Sequence, residues 1–216
     1  MPFLIFIFTF LIYLNTTAPG ILVPDSPEFI ASSFSFGIAH PSGYPFYLLL
    51  GKVFSYIPIG NLAWRMNLMS ALFASLVIIC VYILSNRVIE VTLPENKTEI
   101  INKSFAFIGA LVLAFSHSFW PYAVNTEAYS TSSFLLSVAI LLLILCVSTE
   151  EKIQAGTAFR SQSEKKVKRL YLLSLFAGLL LAFHSVNLIY VVLFVGFVVV
   201  KTTYMDSKNT WIVRKK

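Results

Sequence analysis

Charge is what this chain has least of. Charged side chains make up 12% of its 216 residues, with ten acids against sixteen Lys and Arg, where a soluble domain carries roughly a quarter. With 57% hydrophobic residues and a mean hydropathy of +0.80, this deficit excludes an ordinary soluble domain. It points to an all-α, multi-pass integral membrane protein. Cysteine is also scarce. Cys80 and Cys146 both fall inside apolar runs and read as packing residues, which excludes a disulfide framework and a cysteine metal site. No P-loop, Rossmann glycine pattern, Gly-x-Ser-x-Gly elbow, CxxC or paired-histidine spacing occurs, so the common nucleotide-binding and hydrolase signatures are excluded as well. The net charge of +6 does not imply a nucleic-acid partner. The basic residues gather at the ends of apolar runs, which is the cytoplasmic bias of Lys and Arg in membrane proteins.

Apolar runs long enough to serve as spans, or nearly so, cover 2–14, 66–85, 104–119 and 131–148. Residues 2–14 lack a basic n-region and a cleavage signal, and read as a retained span. The run 170–200 is too long for one upright helix. Its interruption at His184-Ser185-Val186-Asn187 predicts a hairpin of two short helices. Residues 46–59 are broken by Lys52 and closed by Pro58, which predicts an interfacial helix, because a lysine in mid-span is unfavourable. The count is about six transmembrane helices over a module at 1–200, followed at 201–216 by a basic cytoplasmic tail or the start of a further region.

Sidedness follows from the basic residues. If the connections 86–103 and 149–169 and the tail face the cytoplasm, fourteen of the sixteen Lys and Arg lie inside, leaving Lys52 and Arg65 outside. On that map Asp25, Glu28 and Glu127 face outward, as do His40, His117 and His184, while every other acid lies inside. The basic run from Glu164 to Arg169 reads as a contact for anionic lipid headgroups. A polar site on the non-cytoplasmic face is therefore expected. Acids held against a membrane are unfavourable unless they have work to do.

Each candidate has an ordinary reading beside the functional one. Asp25, Pro27 and Glu28 suit a helix start, with an Asp N-cap, Pro in the first turn and an acid at the third position. The same three-residue spacing sets Asp25 and Glu28 on one side, facing a cavity. His40-Pro41-Ser42-Gly43-Tyr44-Pro45 is a rigid turn. It serves either to bend the chain back, with Tyr44 as an interfacial anchor, or to hold His40 near the acids. Arg65 at the start of a span either snorkels to headgroups or offers a forked donor pair to a phosphate. In the aromatic turn Phe119 to Tyr129, an aromatic belt accounts for the rings but not for Glu127. His184 and Asn187 mark either a plain polar turn or a substrate contact.

Taken together, Asp25-Ser26-Pro27-Glu28-Phe29-Ile30, His40 to Pro45, Ala63-Trp64-Arg65-Met66-Asn67 to Phe73, Phe119 to Tyr129 and Gly178 to His184 resemble a membrane family once described as a domain of unknown function. It includes the O-mannosyltransferases that modify plexin-type receptors. The resemblance covers nearly the whole chain as an N-terminal portion of such a protein. Pro27 stands where the family usually has Gly, and Ser42 where it usually has a second Pro.

The resemblance implies a GT-C type glycosyltransferase. Such an enzyme takes a sugar, mannose in those relatives, from a polyprenyl-phosphate-linked donor to a protein or other hydroxyl acceptor on the non-cytoplasmic face. It implies that the first outer loop supplies the base, Asp25 or Glu28, with Asp25 preferred. Glu28 would then stabilise the oxocarbenium-like transition state. His40 and Arg65 would meet the departing phosphate, and Tyr44, Glu127 and His184 would complete the substrate site. The resemblance fixes no cofactor, and many enzymes of this class need none. A divalent metal, if one takes part, would sit on Asp25 and Glu28. The partners expected are membrane lipid, the lipid-linked donor and the acceptor, in a bacterial inner membrane or the endoplasmic reticulum membrane. A polytopic transporter or lipid flippase using the outer acids and histidines, or an inactive fragment of the enzyme, are the alternative readings.

Overall fold

The computed structural model describes residues 1–22, 24–92, 99–154 and 159–214. Among them the fold is all-helical, with helices α1 (Pro2–Thr16), α2 (Ser26–Ser35), α3 (Pro45–Ser55), α4 (Leu62–Thr92), α5 (Glu99–Ala114), α6 (Trp120–Val124), α7 (Ala128–Gln154), α8 (Phe159–Phe183) and α9 (Leu188–Arg214), and a 3₁₀ turn at Ser185–Asn187 between the last two. Proline opens α1, α2, α3 and α6 near the first turn, where its missing N–H leaves no orphaned bond.

α4 is the central post. Its 31 residues rise about 46 Å at ~1.5 Å per residue, and it packs against α1, α5 and α6 on one side and α3 and α7 on the other. On the first side Ala71, Ala74, Ile78 and Tyr82, spaced three and four apart, bury against Ile5 and Tyr13 of α1 and Ala106, Ala110 and Ala114 of α5. Alanines recurring every fourth residue let the helix backbones approach closely, the packing that apolar surroundings favour. On the second side Met66 and Met69 pack with Phe29, Tyr47, Leu135, Leu180 and Phe183.

Among the described residues, the stretches Leu62–Glu90 and Ala128–Cys146 are long and apolar enough to cross a membrane. Pro2–Thr16, Pro45–Ser55 and Ser185–Lys201 are shorter apolar helices. The expected break in 170–200 falls at His184, but the flanking helices are not short: α8 and α9 run to 25 and 27 residues. α8 begins inside the connection expected at 149–169 and places Glu164 to Arg169 in helix. α5 stops at Ala114, so His117 lies exposed in the turn that follows rather than at the end of a span. α9 continues past position 201 without a break. Of the basic residues used for sidedness, Lys97, Lys215 and Lys216 lie outside the described residues.

α2 and α3 form a hairpin laid against the start of α4. Lys52 sits in the last turn of α3, donates to the Phe34 carbonyl at 2.6 Å and lies over the rings of Phe34, Phe36 and Tyr56. This cation therefore closes the C-terminal end of α2. Gly51 is where α3 crosses its neighbours. A Cβ there would press on the Ser33 hydroxyl and stand 2.5 Å from the Met66 methyl. Gly51→Val is expected to destabilise the protein by about 1–3 kcal/mol through overpacking, read as a lowered thermal midpoint in detergent; an unchanged midpoint would show that α2, α3 and α4 can separate freely.

Candidate functional site

The chain's rare polar groups meet at one end of the bundle, where α1, α5 and α8 finish and α4 and α7 begin. A cavity of about 330 Å³ opens there, walled by Asp25, Phe29, Tyr44, Glu127, Tyr129, His184 and Tyr190 among others. Four of the seven expected site residues, Asp25, Tyr44, Glu127 and His184, therefore share it.

Asp25 occupies the N-cap position of α2, yet its side chain makes no capping hydrogen bond. The carboxylate faces the cavity instead. Glu28 diverges from it. Its carboxylate accepts from the His40 backbone N–H at 2.6 Å and the His40 ring Nδ1 at 2.8 Å. The spacing rule that expected both acids on one side holds between helical residues, and Asp25 precedes the helix. The hydrogen bond from the His40 ring holds the Glu28 carboxyl below the usual range. Glu28 thus locks His40 as a donor at Nδ1.

The turn after His40 brings the second wall. Gly43 has a φ of +86° and its N–H donates to the His40 carbonyl at 2.7 Å. Tyr44 follows in the left-handed region with φ 47°, a conformation that costs a non-glycine residue on the order of 1–3 kcal/mol. Ring packing offsets it. The Tyr44 ring centroid lies 5.0 Å from Phe29, 5.1 Å from His40 and 5.2 Å from His184, so one buried ring links the Glu28–His40 pair to the cavity. Burial, and then the negative charges around it, push the Tyr44 hydroxyl up.

Glu127 ends the short link between α6 and α7 and is only 5% exposed. Burial pushes its carboxyl up to about 7, the charge of Asp25 adds to the effect, and His40 opposes it. His184 caps the 3₁₀ turn, its Nδ1 accepting from the Val186 N–H at 3.1 Å.

Arg65 is placed elsewhere. Its guanidinium donates to the carbonyls of Ile59 at 2.9 Å, Ser55 at 2.8 Å and Gly60 at 2.9 Å. These carbonyls come from the end of α3 and the turn beyond it, so Arg65 fastens that turn and does not line the cavity. Two residues that the sequence did not flag hold the site together. Asn67 is fully buried. Its amide N–H groups donate to Ala18 at 2.8 Å and Gly20 at 3.1 Å, and its oxygen accepts from the Thr126 hydroxyl. One side chain thus ties the segment leading to Asp25 to the residue before Glu127. Asn67 lies in the quoted Trp64–Asn67 motif, where only Arg65 drew attention.

The donor set does not favour a metal. Both oxygens of Glu28 are engaged by His40, and no group of three His, Cys, Asp or Glu suited to a metal occurs among the described residues.

The raised Glu127 carboxyl has a consequence for stability. Between its ordinary value near 4.5 and about 7, the folded chain holds this proton and the unfolded chain does not. Its stabilising contribution is therefore lost as pH rises through that window. Glu127→Gln is expected to melt higher than the parent protein at pH 8 and to match it at pH 4.5, read by thermal unfolding in detergent; a uniform gap at both values would contradict the burial of an ionisable group here.

Comparison with known proteins converges on one family. The model described as Protein O-mannosyl-transferase TMEM260 N-terminal domain matches residues 25–208, a stretch holding all seven candidates. The Protein O-mannosyl-transferase tmem260 of Dictyostelium discoideum is 30% identical over 142 residues, 64% of this chain and 16% of that protein. The Protein O-mannosyl-transferase TMEM260 of Mus musculus is 29% identical over 160 residues, 72% of this chain and 19% of that protein. The chain thus spans less than a fifth of the length of these curated relatives. No solved structure matches it. With the match beginning at Asp25 and running over most of its length, the chain belongs to the family of the Protein O-mannosyl-transferase TMEM260 N-terminal domain.

Proposed function

We propose that this chain forms the sugar-transfer centre of a GT-C type protein O-mannosyltransferase. It would take mannose from a polyprenyl-phosphate donor to a Ser or Thr hydroxyl on the non-cytoplasmic face. One observation carries the reading: Asp25, at the start of α2 and without a capping hydrogen bond, lines a cavity shared with the buried Glu127. The printed names of the relatives supply the reaction class.

In this reading α1, α4, α5, α7, α8 and α9 cross the membrane, and α2 and α3 lie along its outer surface. The helix directions support it. α4 and α7 begin beside the cavity and α5 and α8 finish there, which accords with basic connections on the opposite face.

The acceptor hydroxyl enters the cavity and Asp25 takes its proton as the oxygen attacks the anomeric carbon. The new bond forms as the bond from that carbon to the phosphate oxygen breaks, and polyprenyl phosphate leaves with the electron pair. Displacement in one step inverts the anomeric centre. Glu127, whose carboxyl burial raises to about 7, in its protonated form donates a hydrogen bond where a second carboxylate would repel the phosphate. The Glu28–His40 pair fixes the first turn and, through the ring contact of His40, holds Tyr44 against the cavity. Arg65 acts as a brace for the α3–α4 turn. No step runs through a metal.

The test is transfer of label from polyprenyl-phosphate mannose in membranes holding the full-length enzyme. Asp25→Asn is expected to lower kcat by about a hundred- to ten-thousand-fold, the range for loss of a positioned base, with KM for the donor nearly unchanged. Transfer at the parent rate would remove Asp25 as the base, and activity that follows an ion gradient instead would identify a transporter.

A further inference from the structure

We propose that the Nε2–H of His184 receives the phosphate of the lipid-linked donor, an assignment that rests on the glycosyl-transfer reading above. The backbone sets the tautomer of this ring. A backbone N–H only donates, so the bond from Val186 N–H to His184 Nδ1, 3.1 Å long, makes Nδ1 an acceptor. The ring proton then sits on Nε2. The ring is fixed on its other side by Tyr44, with centroids 5.2 Å apart, and it lines the cavity with Asp25 and Glu127.

The other nitrogen donors expected to meet an anion are engaged elsewhere. His40 turns its Nδ1 to Glu28, Arg65 is tied to three carbonyls, and the Asn187 amide donates to the Leu180 carbonyl at 2.9 Å. The hydroxyls in the cavity wall carry lone pairs as well as protons and suit the hydroxyls of a sugar. An imidazole in this tautomer offers Nε2 as a donor with no lone pair there to repel phosphate oxygens, and a bond from it to an anion is charge-assisted.

Position supplies a second, independent observation. A polyprenyl tail remains in the apolar phase, so its phosphate must dock where the cavity meets apolar surface. His184 lies at that edge, followed by the exposed side chains of Val186, Leu188 and Ile189. His184 keeps its proton throughout. The proton released in the reaction goes to Asp25, and the electron pair of the broken bond goes to the phosphate oxygen that His184 holds.

The experiment measures inhibition of transfer by polyprenyl phosphate, the released product, with polyprenol and inorganic phosphate as controls, in the full-length enzyme. In His184→Asn the amide oxygen replaces Nδ1 as acceptor from Val186, and nothing replaces the Nε2 donor. His184→Gln places an amide N–H near Nε2. His184→Asn is expected to raise the inhibition constant of polyprenyl phosphate about tenfold, and His184→Gln by no more than about threefold, tenfold corresponding to one good hydrogen bond to an anion. Polyprenol should be unaffected by either. Val186→Pro removes the N–H that fixes the tautomer at a position proline tolerates, and is expected to weaken polyprenyl phosphate by about threefold with His184 itself in place.

Parent-like inhibition of both His184→Asn and Val186→Pro would overturn the proposal. So would equal losses for polyprenol and polyprenyl phosphate, which would assign the effect to the tail or the fold. Inorganic phosphate as potent as the lipid would show a free-anion site and overturn the lipid source. A parent enzyme that transfers sugar yet ignores polyprenyl phosphate would remove the donor class itself, a failure distinct from an active Asp25→Asn, which would remove only the base.

Discussion

The amide of Asn67 is the fixed point of this structure. It sits near the start of the central helix, has no exposed surface, and makes three hydrogen bonds to segments 47 and more residues away. Two of its partners are carbonyls of the irregular link that leads from α1 to Asp25, and the third is the hydroxyl just before Glu127. A buried amide left unsatisfied costs about 1–3 kcal/mol, so all three bonds form together or the local fold gives way. A second clamp reinforces the first. Ala18 N–H donates to the Val124 carbonyl at 3.0 Å and the Asn61 amide to the Pro19 carbonyl at 2.9 Å. Two carboxylates far apart in sequence are thereby brought to one cavity by groups that carry no charge.

The chemistry follows from unequal surroundings. Asp25 sits partly open at a helix start, while Glu127 is enclosed and kept protonated to near neutrality. Two acids in one cavity, one partly open and the other enclosed, can divide the work, one accepting a proton and the other donating a hydrogen bond. The histidines divide as well. His40 is held by a carboxylate at Nδ1 and His184 by a backbone N–H at Nδ1, so they present opposite tautomers on the two sides of Tyr44. That ring, in its left-handed conformation, is the joint between the first outer turn and the α8–α9 break.

Much of the site was legible because the chain is so apolar. Ten acids among 216 residues make Asp25 and Glu127 stand out, and the polar interruption at His184 marks a helix break in any reading. The all-helical fold and the N-terminal-domain family were legible for the same reason, from the apolar runs and the motif around Asp25. What stayed hidden depends on contacts across the fold. Asn67 and Thr126 are ordinary polar residues whose importance lies in pairing over 59 positions. Arg65 looked available because sequence does not show that the carbonyls of Ser55, Ile59 and Gly60 end beside it. Glu28 looked parallel to Asp25 because a spacing rule for helix interiors was carried one residue beyond the helix.

The decisive measurement is a structure of the longer protein with polyprenyl phosphate bound. The phosphate is expected in the cavity between Asp25 and Glu127, within hydrogen-bonding distance of His184 Nε2, with the tail leaving past Val186 along α9. A phosphate held by Arg65 outside the cavity, or at the opposite end of the bundle beside the basic connections, would contradict that placement.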